Sequence, residues 1–120
     1  EEELKMANDF KNAIAQNVSN AAGGTTIYTV PATKASILLE LDVANTTTNV
    51  VEASVEILDS SVSSSAWRYL VKNAPVPAGG SLMVIAGQKI VLEAGDAVRV
   101  TASAANVLDV VAAILEDVNS

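Results

Sequence analysis

A chain of 120 residues with a net charge of −7, half of it hydrophobic but only 3% aromatic, has the size of one domain, with a core built from Val, Ile, Leu and Ala. It contains neither cysteine nor histidine, which excludes disulfides, thiolate metal sites and imidazole acid–base chemistry. The acidic balance argues against recognition of a phosphate backbone, and no apolar run is long enough to span a bilayer, so neither nucleic acid nor a membrane is an expected partner.

The first five residues, EEELK, precede a stretch that reads like a natural start at Met6; they read as a tag or an upstream extension. Residues 6–22 are the one helix candidate. Phe10, Ile14 and Val18 recur at i, i+4 and i+8, with Ala13 and Ala15 beside them. The stripe is thin, and a lone helix of this length is marginal in water. The segment therefore docks on its own domain, docks on a neighbour, or stays extended, and Phe10, Ile14 and Val18 are candidate interface residues. Asn17, Asn20 and Gly23-Gly24 end it. Residues 1–24 are thus expected to form a short helical or extended arm. The double glycine leads to the expectation that the rest folds without residues 1–22 while assembly weakens.

From residue 25 to residue 120 the texture is that of β-structure. TTIYTV is β-branched and closed by Pro31. ASILLELDVA (35–44) sets Ile37, Leu39, Leu41 and Val43 against Glu40 and Asp42. VVEASVEIL (50–58) sets Val51, Ala53, Val55 and Ile57 against Glu52, Ser54 and Glu56. NTTTN between them is a polar turn, and DSSVSSSA (59–66) a polar loop. WRYLVKN (67–73) is a strand with Trp67 and Tyr69 on one face, and APVPAGG a turn. SLMVIAG and KIVL are two short strands, EAGD is a tight turn, and AVRVTASA alternates again. VLDVVAAILE (107–116) is read as a strand because of its valines and the turn at Asn106. About eight short strands at close spacing predict a single antiparallel β-sandwich, jelly-roll or immunoglobulin-like.

No motif carries catalysis. Four of the six glycines fall in residues 79–95, but AGGSLM lacks the lysine and order of a phosphate loop, and no helix follows. Gly79-Gly80, Gly87 and Gly95 suit turns, with Gly95 at a positive-φ position. Serines and threonines abound, yet without histidine a lysine such as Lys34, Lys72 or Lys89 would have to serve as the base, and no S-x-x-K arrangement is present. Glu40, Asp42, Glu52 and Glu56 would cluster if their strands paired, which would suit a solvated or partner-facing surface before a cation or an acid–base pair. No cofactor or metal is expected. Trp67 and Tyr69 suit core packing, a partner interface or a sugar platform.

Taken in order, Y-T-x-P-A (TTIYTVPA), D-V-A-N, K-N-A-P-V-P-A-G and L-E-A-G-D, after the start MANDFKNAIAQNV, resemble small virion structural proteins of tailed bacteriophages over about residues 6–116. The resemblance implies a compact β-domain behind an N-terminal segment, and binding or scaffolding without catalysis. It implies a virion location after assembly in the host cytoplasm. It further implies self-association, as a trimer, and a virion partner such as the major capsid protein for a capsid decoration role. Tail, neck, baseplate and fibre-attachment roles belong to the same class. A carbohydrate-binding module using Trp67, Tyr69 and the acidic strand faces is the reading from another class.

Overall fold

The computed structural model describes residues 8–61, 66–87 and 89–118; the EEELK segment lies outside the described residues. Nine strands are formed among them: β1 (Asn8–Ala15), β2 (Thr25–Thr29), β3 (Lys34–Asn45), β4 (Val51–Leu58), β5 (Trp67–Val76), β6 (Ser81–Ile85), β7 (Ile90–Leu92), β8 (Ala97–Ala102) and β9 (Leu108–Val118). They make two antiparallel sheets packed face to face. The first runs β1-β9-β3-β6, with β7 also on β3; the second runs β2-β8-β4-β5.

The pairing is nested. β1 pairs with β9, β2 with β8, β3 with β6 and β7, and β4 with β5. β6 lies opposite Leu41–Ala44 and β7 opposite Ser36–Leu38, so the two follow one another along a single side of β3. Counted as one broken strand, they leave eight strands in two four-strand layers, wound as a folded ribbon. This is a jelly roll, the first of the two expected sandwich topologies.

The alternating sequences account for the layers. In β4, Val51, Ala53 and Val55 are buried between the sheets, and in β8 Val98, Val100 and Ala102 are. From the first sheet Leu38, Leu41, Val43, Leu108, Val110, Ala112 and Ile114 meet them. The core is almost wholly aliphatic, as the scarcity of aromatics requires. Asn45 is buried at the end of β3. Its amide donates to the carbonyls of Asn49 and Val76 and its Oδ1 accepts from the Thr47 amide, which fixes the crossing from one sheet to the other.

Three expectations change. The helix over residues 6–22 is not formed: Asn8–Ala15 is the outermost strand of the first sheet, paired along its whole length with β9. A spacing of four fits a strand as well as a helix, because four is an even number. Phe10 and Ile14 therefore share the outer face while Ala13 and Ala15 pack on the core. Secondly, Ile37 and Leu39 do not share a face with Leu41 and Val43. A bulge between Leu38 and Glu40 shifts the alternation, so Leu38 and Leu41 both point inward. Thirdly, β5 continues through Pro75 to Val76 instead of turning at Ala74. β5 is an edge strand, where a missing N–H costs no ladder bond.

Gly24 shows why a glycine closes the first crossing. Its φ is +56°, and a Cβ there would lie 2.3 Å from the Val100 carbonyl oxygen and 2.3 Å from Thr101 Oγ1. Gly24→Ala is expected to cost about 2–3 kcal/mol, from left-handed strain and a clash with backbone that cannot turn aside. Gly79→Ala, at φ +66° but with open space around the new Cβ, should cost less. Chemical denaturation of the two variants checks the order.

Candidate interaction face

The strand register gathers large apolar side chains on the outside of the first sheet. Ile14 of β1 lies opposite Val111 of β9, Val111 opposite Asp42 of β3, and Asp42 opposite Met83 of β6. A second row runs Phe10, Leu115, Ile37 and Val91. Phe10, Ile14, Met83, Val91 and Val111 are each between 49% and 78% exposed. Five of the seven large hydrophobic residues exposed among the described residues thus share one face. Scattered exposed apolar residues are ordinary; a contiguous set marks a contact surface.

Asp42 interrupts the first row, and Glu40 stands between it and the second. Glu40 pairs across to Ala113 and Asp42 to Val111. The hydrogen bond between the two carboxyls, then the Asp42 charge, hold the Glu40 carboxyl above its ordinary range. Asp42 Oδ1 is buried and has no hydrogen-bond partner. None of the ion pairs among the described residues reaches either carboxylate.

The expected four-acid cluster does not assemble, because β3 and β4 belong to different sheets. Glu56 is instead held by Arg99 of β8 through two hydrogen bonds, Nε to Oε1 at 3.0 Å and Nη2 to Oε2 at 3.2 Å. Arg99 also lies 3.9 Å from the centre of the Trp67 ring, so one face of the indole is already covered by a guanidinium. Tyr69 is exposed two residues along the same strand, with the Lys72 ammonium 5.3 Å from its ring. Phe10 and Ile14 thus lie on the outside of one sheet and Trp67 and Tyr69 on the other. Val18 is fully buried in the chain's own core, where its N–H donates to the Leu108 carbonyl.

Two polar clusters join residues too far apart in sequence to be paired by motif. Asp59, Glu93 and Asp96 bring three carboxylates within 4.8 Å of one another. Asp96 is buried and already engaged: Oδ1 accepts from the Ser60 amide and hydroxyl, and Oδ2 from the Glu93 amide. This carboxylate braces the Glu93–Asp96 turn against the end of β4. At the end of the first sheet, Glu116 is buried and accepts from Tyr28 at 2.5 Å and Lys34 at 3.2 Å, with the Lys11 ammonium 3.4 Å away. Tyr28 Oη is also 2.8 Å from Ser36 Oγ. Every member has a partner, which makes the cluster an internal tie between the layers.

No protein-family model, curated protein or solved structure matches the chain.

Proposed function

We propose that this protein is a non-enzymatic structural protein of a tailed-phage virion, an oligomeric capsid decoration protein that seats on the head and stabilises it. The observation that carries the binding role is the apolar outer face of the first sheet, which the fold leaves uncovered and which nothing in the chain's own packing requires. The virion setting rests on the resemblance of the ordered motifs. The jelly roll is an architecture that viral capsid domains use, and lectins and cupins use it too, so it supports the setting by analogy alone. The sugar-platform reading loses ground at Trp67, where Arg99 occupies one ring face.

Light scattering on the purified chain is expected to give an oligomer, a trimer, at micromolar concentration. A reconstruction of particles that carry the protein is expected to show copies spread over the head. Copies confined to the vertex or tail would move the protein to the neck, baseplate or fibre attachment. A strict monomer that does not sediment with heads lacking it would overturn the proposal.

A further inference from the structure

We infer that the outer face of the first sheet docks a different protein, through an apolar surface with a lysine or arginine at its centre that reaches the Glu40–Asp42 carboxylates. The inference rests on the reading of this chain as a binding protein, and not on where in a virion it sits.

The occupant follows from charge. The face consists of two apolar rows, with Asp42 set into the first and Glu40 between them. Covering it with a purely apolar partner would bury both carboxylates without compensation, which disfavours such a contact. A cation seated at this acidic pair would offset the charge of two carboxyls that no ion pair among the described residues reaches. A guanidinium fits two adjacent carboxyls with its fork of donors.

A second copy of this chain is a poor occupant. An isologous contact centred on the face brings each acidic pair against its own copy, four carboxyls without a cation. The chain's own first seven residues are poor occupants also, since EEELKMA carries three carboxylates against one lysine. The net charge of −7 points the same way, toward a partner with basic character.

The test uses the intact chain and a library of twelve-residue peptides displayed on particles. Peptides are selected on immobilised wild-type protein and depleted on Val111→Glu. Met83→Ser, on an edge strand, is a second face variant in case a charge on β9 disturbs folding, and Tyr69→Ala on the opposite sheet is the control. Selected peptides are expected to carry one lysine or arginine flanked by large apolar residues. Their affinity should fall at least tenfold for the doubly neutralised Glu40→Gln/Asp42→Asn protein and for Met83→Ser, and stay unchanged for Tyr69→Ala. Neutral or acidic winners, or an affinity indifferent to Glu40 and Asp42, would overturn the inference. No enrichment that depends on the face would do so too, as would an oligomer that Val111→Glu and Met83→Ser both dissociate, because a second copy then covers the face. Failure to bind heads, with the peptide result intact, overturns the virion reading and leaves this one standing.

Discussion

A chain starting at residue 23 is expected to lose its cooperative thermal transition and to aggregate, in place of surviving as an independent sandwich. The removed segment contains β1, the full-length neighbour of β9, and Val18, which has no exposed surface. Burial of a valine contributes about 1.5–3 kcal/mol. The Val18 N–H bond to Leu108 and the bond from the Ala102 N–H to the Ser19 carbonyl tie the crossing to both sheets, and both are lost. So is Lys11, one of the two ammonium groups beside the buried Glu116. Together these approach the lower end of the roughly 5–15 kcal/mol that holds a domain of this size. The larger consequence is at β9. With β1 gone, the valine-rich strand Leu108–Val118 becomes an unprotected edge, apolar on both faces, and such edges template association. Circular dichroism melts and size-exclusion chromatography of the truncated chain check this; a monomer melting where the full chain melts would refute it.

The β-sandwich was legible because its signal is local. Alternation in VEASVEIL and AVRVTA depends only on neighbours two apart, and the two sheets use those faces as the pattern predicts. The N-terminal segment was ambiguous for a definite reason: Phe10, Ile14 and Val18 satisfy a period of two and a period of 3.6 together, and only the partner strand β9 decides between them. The bulge at Leu39 was hidden because SILLEL is apolar at both parities, so no polar residue marks the change of phase. Phe10 and Ile14 were visible as candidates from the sequence, whereas Met83, Val91 and Val111 were not. Each sits on a different strand from the others, and they become one surface only through strand order. The same holds for Glu116. In sequence it is one acid near the end of a strand; its meaning depends on Tyr28, Ser36 and Lys34, which lie more than 75 positions away and meet it only in the fold.

Replacing Glu116 with alanine is expected to cost about 3–5 kcal/mol, the range for breaking a buried ion pair by removing one partner. The carboxylate is 1% exposed and stands at the centre of the tie between the sheets. Without it the Tyr28 hydroxyl loses its acceptor, and Lys34 and Lys11 face one another uncompensated. The same contacts give the stability a pH signature. The Tyr28 hydrogen bond first, then the Lys34 hydrogen bond and the charges of Lys11 and Lys34, hold the Glu116 carboxyl below its ordinary value of 4.5 against the opposing effect of burial. A depressed folded-state value means that the unfolded chain takes up its proton first as pH falls. The contribution of Glu116 is therefore complete above the ordinary carboxylate range and is lost as pH drops through the folded value. Tyr28 gives the opposite limb. Burial and the bond to Glu116 push its phenol from 10.0 up to about 12, so its contribution is complete below pH 10 and is lost between 10 and 12. Melting temperature against pH for wild type, Glu116→Gln and Tyr28→Phe separates the two. Glu116→Gln should flatten the acid limb relative to wild type. Tyr28→Phe should remove the alkaline loss and move the acid limb to higher pH, because the carboxylate loses the bond that depresses it most. Three superimposable pH profiles would show that the cluster contributes packing alone, and that the charge of Glu116 ties nothing together.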